Sequence, residues 1–263
     1  MLLQQCLVGF GFTMKEKKNW EYEWQGLKFA EIGIKPSLFK QASRDFYDAF
    51  YYTLFDKYKS FAELPVSWQL NKLAVATEIK NWLPRGSSVL SYGCGLGFVE
   101  HEVLKVRNDI KLRCFDISDI PGKWFKSQNS KIHFSDALEK NEQFDIIMCI
   151  QLTYSLDREV FVKIFKSLQS KLTENGKILC VDHSIINEEN GIICSSVIEK
   201  FIWQIKPLFR PIYNYIFRRN KAQFWGWLRD NEMRDFLFAK AGFSLIDRYN
   251  SAGQIISIYQ SHI

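Results

Sequence analysis

The sequence has no run of the roughly 18–20 apolar residues that a membrane-crossing helix requires. The charge-free stretches Met1 to Met14 and Ile146 to Leu156 fall short of that length. No positive region precedes the first apolar residues and no small-residue cleavage site follows them, so no secretory leader is expected. Met14 is followed at once by Lys15, Glu16, Lys17 and Lys18, which makes residues 1–13 a candidate upstream mis-start. The six cysteines, Cys6, Cys94, Cys114, Cys149, Cys180 and Cys194, include no C-x-x-C pair. Neither a zinc centre nor a disulfide framework is expected. Three of them fall in strand-like apolar segments and read as free core thiols in a reducing cytoplasm. There is no internal repeat and no low-complexity tract.

What is present is a chain of 263 residues, 47% hydrophobic and 24% charged, with a net charge of +6. That suits one elaborated domain and permits, without demanding, an anionic partner. Residues 1–35 read as a tail and residues 36–84 as a helical cap. In the cap, Phe39, Phe46, Tyr47, Phe50, Tyr51, Leu54, Phe55 and Tyr58 recur at helical spacing after Pro36-Ser37, and Ser67 is placed to cap a second helix. From residue 85 to 263 strands alternate with helices. Expected strands are Ser88–Tyr92, Ile110–Asp116, Lys131–Phe134, Phe144–Ile150 and Lys177–Asp182. The helix starting at Asp157 is expected to end at Asn175-Gly176. A last helix presents Met233, Phe236, Leu237 and Ala241 on one face, and a hairpin closes the pattern over Phe243–Tyr249 and Gln254–Gln260. The alternation predicts an α/β fold with a mostly parallel sheet covered on both faces.

The most informative segment is Val89-Leu90-Ser91-Tyr92-Gly93-Cys94-Gly95-Leu96-Gly97. Glycines between a strand and a helix let the backbone approach a ligand and offer it helix N-terminal N–H groups. Asp116, at the end of the next strand, is placed to accept both hydroxyls of a ribose. The spacing is G-x-G-x-G, with Phe98 where a dinucleotide fingerprint has its third glycine, and no Gly-Lys-Ser/Thr follows to make a P-loop.

In these residues the chain resembles the class I S-adenosylmethionine-dependent methyltransferases. Gly93, Gly95 and Gly97 match the first motif of that family, and Asp116 its ribose-binding acid. Ser135-Asp136-Ala137 matches the adenine-contacting motif. Phe144-Asp145-Ile146-Ile147 with Ile150-Gln151-Leu152-Thr153-Tyr154 matches the fourth motif. The stretch Leu172 to Val181 matches the fifth strand, and Ala241-Gly242-Phe243 matches the junction before strand six. The resemblance implies a Rossmann-like sheet of seven strands and S-adenosyl-L-methionine as cofactor. It implies cofactor contacts at Tyr92, Gly93, Cys94, Gly95, Gly97, Asp116, Ile117, Asp136, Ala137 and Gln151. At Ser91 the family usually carries Asp or Glu, which keeps a non-catalytic binding or membrane-docking subunit as an alternative.

Methyl transfer to a hydroxyl needs alignment of the acceptor and a group to take its proton. His183, directly after the fifth strand, is the candidate base, and Tyr154 could position the acceptor. His101 and His133 read as structural. The Asp/Asn-Pro-Pro-Tyr/Phe tetrad used on exocyclic amines is absent and no Pro-Cys points to a pyrimidine, so nucleic acid is not the expected partner; an RNA methyltransferase is a further alternative. Between about residues 188 and 229 lies an insertion, expected as a helical lid. From Ser196 to Arg229 it carries Lys200, Lys206, Arg210, Arg218, Arg219, Lys221 and Arg229 against Glu199 alone, interleaved with nine aromatic residues. Aromatic rings suit stacking on sugar or ring faces, and the cations suit phosphate or carboxylate. The same composition suits peripheral contact with an anionic membrane, or packing on the cap helices. The expected reaction is O-methylation of a sugar, glycan or other small hydroxyl compound, free or lipid-linked.

Overall fold

The computed structural model describes residues 15–32, 43–128, 131–135, 137–183, 223–251 and 253–262. The chain enters through three short strands, β1 (Glu16–Glu21), β2 (Glu23–Trp24) and β3 (Leu27–Lys28). Two helices follow, α1 (Arg44–Lys57) and α2 (Val66–Trp82). Strands and helices then alternate through β4 (Ser88–Tyr92), α3 (Phe98–Val106), β5 (Lys111–Phe115), α4 (Ile120–Ser127), β6 (His133–Phe134) and β7 (Phe144–Ile150). The remainder comprises α5 (Arg158–Gln169), β8 (Leu172–His183), β9 (Gln223–Arg229), α6 (Asn231–Lys240), β10 (Phe243–Ser251) and β11 (Gln254–Ser261).

Seven strands form one sheet in the order β10-β11-β8-β7-β4-β5-β6. The pairs from β8 through β6 are parallel, whereas β11 runs antiparallel to both β8 and β10. Alternate residues of each strand enter different cores. Val89, Ile146, Met148 and Leu179 pack with α1, α2, α3 and α4 on one face. Leu90, Ile147, Cys149 and Cys180 pack with Phe161 and Phe165 of α5 and Leu237 and Phe238 of α6 on the other. With both faces covered, each strand needs a nearly continuous apolar run, and Phe144–Ile150 supplies one with Asp145 as its single polar residue. Polar chemistry is thereby displaced to the strand ends.

Three of the described helices, α1, α5 and α6, start with a side-chain cap. The Ser43 hydroxyl accepts from the Phe46 N–H (3.3 Å), Asp157 from Val160 (2.9 Å) and Asp230 from Met233 (2.8 Å). Each cap satisfies a backbone donor that the helix itself leaves unpaired.

Several expectations change. The helix α2 begins at Val66 with Pro65 at its N-cap and no side-chain cap, so Ser67 lies inside it. Asn175-Gly176 does not end a helix; α5 stops at Gln169, and the Asn-Gly pair sits inside β8, where the pairing with β7 jumps from Phe144–Leu172 to Ile146–Lys177. On α6 the buried face carries Met233, Leu237 and Phe238, and Phe236 is exposed. The helix α4, unforeseen, opens with proline in its first turn and buries Trp124 and Phe125. Residues of the expected tail form β1, which pairs antiparallel with β9, the last seven residues of the expected helical lid. Residues 184–222, the rest of the lid, and 33–42, where the first helix was expected to start, lie outside the described residues. Among the described residues no helix is long and apolar enough to cross a membrane.

The β1–β9 ribbon is fastened by Arg229. Its guanidinium bonds the carbonyls of Thr153 (2.9 Å) and Leu156 (2.7 Å) and the carboxylate of Glu16, and Glu16 also meets Arg158 at 2.9 Å. Breaking one partner of a buried ion pair leaves the other charge uncompensated. Arg229→Ala is therefore expected to destabilise the protein by about 3–5 kcal/mol in chemical unfolding, and to make the β1 segment the first site of proteolysis.

Candidate active site

The strands β5, β4 and β7 end beneath a cavity of about 530 Å³. Its floor is the glycine turn, which continues β4 and is pinned by the N–H groups of Gly93 and Cys94 donating to the Phe115 carbonyl (2.7 and 3.1 Å). Gly97 starts α3 at φ +63°, and a Cβ there would lie 2.4 Å from Phe125 Cζ, so left-handed backbone and close packing both demand glycine. At Gly95 a Cβ would project toward the Tyr51 hydroxyl, 3.2 Å away, inside the cavity.

Asp116, just past β5, is 7% exposed and its carboxylate faces the turn. Oδ2 accepts from the Gly95 N–H (2.8 Å) and Oδ1 from the Ser118 N–H (3.2 Å). Burial lifts its pKa to about 6, against these backbone hydrogen bonds, and the charge of Asp48 on α1 adds to the rise. The backbone groups orient the carboxylate, and cavity-facing lone pairs are left for hydroxyl donors. The turn and this acid therefore fit the ribose of the cofactor that the resemblance implies.

Most residues expected to hold the cofactor meet here. Tyr92, Gly93, Cys94, Gly95, Gly97, Asp116, Ile117 and Gln151 all line the cavity. Ala137 does not; it is exposed, and its carbonyl accepts from Ser135 Oγ at 2.6 Å. Asp136 lies outside the described residues. Tyr154, in a 3-10 turn over Thr153–Ser155, lines the wall with its ring 6.2 Å from that of Trp225. Burial, with the charges of neighbouring groups, holds its phenol far above the ordinary range. His183 ends β8, with its backbone opposite Gln254, but its side chain lies outside what is described. His101 stacks on Phe61 at 4.6 Å, away from the cavity lining.

Sequence reasoning missed the contribution of the cap. Tyr47, Phe50 and Tyr51 from α1, Trp68 and Lys72 from α2, and Trp225 from β9 complete the wall. The helical spacing of the α1 aromatics was visible, but it did not reveal that the face they form covers a cavity. Trp225 lies 4.9 Å from Phe29, and Phe224 5.3 Å from Trp20, so these insertion aromatics pack onto the N-terminal segments. Ser91, 1% exposed, donates to Glu100 Oε1 at 2.5 Å, which brings a carboxylate from α3 to a strand end that lacks one.

The raised pKa of Asp116 has a definite sign. The ligand-free protein is favoured while the group stays protonated, and that contribution is lost as pH rises from 3.8 through about 6. Hydroxyl donors bind the charged form. Affinity for S-adenosylhomocysteine in calorimetric titration is expected to fall about tenfold per unit as pH drops below that value. An Asp116→Asn variant should bind weakly, without this dependence.

No curated protein matches the chain by sequence. Among solved structures, the pyocyanin biosynthetic protein PhzM superposes with a TM-score of 0.55 at 14% identity, covering 82% of this chain and 64% of its own. Human N-acetylserotonin methyltransferase in complex with SAM gives 0.53 at 13% identity, with coverages of 84% and 57%. The mitomycin 7-O-methyltransferase MmcR gives 0.52 at 12%, with 84% and 64%. The chain thus spans less than two thirds of the length of each, and the likeness is one of fold. A family model described as a methyltransferase domain matches residues 65–245. Because that match takes in α2, the glycine turn, Asp116 and every strand from β4 to the start of β10, the chain belongs to the methyltransferase-domain family.

Proposed function

We propose that the protein transfers the methyl group of S-adenosylmethionine to a hydroxyl oxygen of a small ring compound, a sugar or an aromatic. The observation that carries this reading is the composition of one cavity, with the glycine turn and Asp116 on one side and an aromatic wall on the other. That wall consists of Tyr47, Phe50, Tyr51, Trp68, Tyr154 and Trp225. Its volume, about 530 Å³, lies within the range of sites for drug-sized ligands. Flat faces stack on such rings, whereas a nucleic-acid strand needs an open basic groove. MmcR, named for 7-O-methylation, supports oxygen as the acceptor atom.

The bound cofactor supplies an electrophilic methyl on a sulfonium. Asp116 and the turn would fix its ribose, and the aromatic wall would hold the acceptor ring against the reacting end. Tyr154 stays protonated at neutral pH, because burial disfavours the phenolate, so it serves as a hydrogen-bond donor that orients the acceptor. His183 is our candidate to take the hydroxyl proton: it ends β8 opposite Gln254, whose side chain accepts from Gln151 at 3.1 Å in the cavity wall. The lipid-linked form of the acceptor and membrane contact would rest on residues 196–222; Gln223–Arg229 is engaged with β1.

The test is transfer of labelled methyl from S-adenosylmethionine to panels of phenols, saccharides and tRNA. Label is expected on a phenol or saccharide oxygen. His183→Asn should lower kcat by about a hundredfold or more while leaving S-adenosylhomocysteine affinity unchanged. Label on tRNA alone would overturn the acceptor assignment. Cofactor binding without transfer to any panel would favour a binding subunit.

A further inference from the structure

Besides Asp116, two further charged side chains line the cavity, which also reaches the end of β7 at Ile150 and Gln151. Glu100, in the first turn of α3, is 2% exposed; Lys72, on α2, is 7% exposed; both line the cavity. They are not paired with each other: among the described residues no ion pair joins them within 4.0 Å. Each has a neutral partner instead. Ser91 donates to Glu100 Oε1 at 2.5 Å, and Lys72 Nζ donates to Gln151 Oε1 at 2.5 Å while lying 5.6 Å from the Trp68 ring.

Burial acts on both charges in the direction it must. It lowers the Lys72 ammonium to about 8 and raises the Glu100 carboxyl, with their mutual attraction the weaker influence on each. Gln151, which receives the lysine, is held at φ +52°, a left-handed conformation that costs energy in a residue with a Cβ. It is fixed from two directions, by its N–H to the Val181 carbonyl (2.7 Å) and by its side-chain amide to Gln254 (3.1 Å). A strained residue over-determined in this way, at a cavity wall, marks a place where positioning matters.

A buried cation and a buried carboxylate held apart are costly without a ligand, and they complement a zwitterion of opposite polarity. We infer that Lys72 and Glu100 bind the amino-acid end of the cofactor, Lys72 its carboxylate and Glu100 its ammonium, so that the helical cap contributes directly to cofactor affinity. The assignment rests on the cofactor reading above. It divides the cavity in two, with the nucleoside on the Asp116 side and the amino acid on the α2–α3 side.

The experiment compares two ligands by calorimetric titration: S-adenosylhomocysteine, and 5′-methylthioadenosine, which keeps the nucleoside and thioether but lacks the amino acid. Wild-type protein is expected to prefer S-adenosylhomocysteine strongly. Lys72→Met and Glu100→Gln should each weaken S-adenosylhomocysteine about ten- to hundredfold and leave 5′-methylthioadenosine within about twofold, as expected for a charged hydrogen bond to the missing group. Thermal unfolding without ligand checks that the variants fold; Lys72→Met should melt no lower than wild type, because an uncompensated buried charge is removed. If Met is not tolerated, Lys72→Gln gives the same comparison. Equal losses for both ligands, or no preference in wild type while both bind, would overturn this inference and leave the cofactor reading intact. Wild-type protein that binds neither ligand would overturn both.

Discussion

A guanidinium taken out of water must find acceptors for its donors, and Arg229 finds three of them on two distant parts of the chain. It holds the carbonyls of Thr153 and Leu156, in the turn after β7, and the carboxylate of Glu16 on β1, from its own place at the end of β9. That turn carries Tyr154, and β9 carries Trp225, so two elements of the aromatic wall take their positions from one buried cation. A second pair next to it, Arg234 with Asp182 at 3.1 Å, ties α6 to the end of β8, and Thr153 Oγ1 closes the network on Asp182 at 2.5 Å. These charges are matched within the protein and serve to fasten it.

The cavity follows the opposite rule. Asp116 is buried with backbone donors as its partners, and Lys72 and Glu100 each face a neutral group. Desolvation therefore dominates at all three, pushing the acids up and the lysine down. Where structure alone is served, buried charges are paired. Where a ligand is to be held, they are kept apart, and their cost is offset when it arrives.

The parts of this arrangement that were legible in the sequence are those encoded locally. Phe144–Ile150 reads as a doubly covered strand because no polar residue but Asp145 interrupts it, and the glycine turn with Asp116 announces itself by spacing. Asn175-Gly176 misled because an Asn-Gly pair is a strong turn signal, and here the turn is an irregularity inside a strand. The β1–β9 ribbon could not be read, since Glu16 pairs with Arg229 across almost the whole chain and neither segment shows its partner. Lys72 and Glu100 belong to no motif and no spacing that marks them in the sequence. Only the packing of α2 against α3 turns them inward, and periodicity cannot report which of several helix faces will meet a cavity. Asp136 and most of the insertion remain expectations from sequence.

Gln254, at the start of β11, carries one consequence of its own. Its side chain fixes Gln151 and its backbone pairs with His183, so a late strand braces the wall of a site whose glycine turn and acid are encoded more than a hundred residues earlier. The wall at Gln151 therefore depends on a contact across about a hundred residues, whereas the hydrogen bond between Gly95 and Asp116 closes within about twenty.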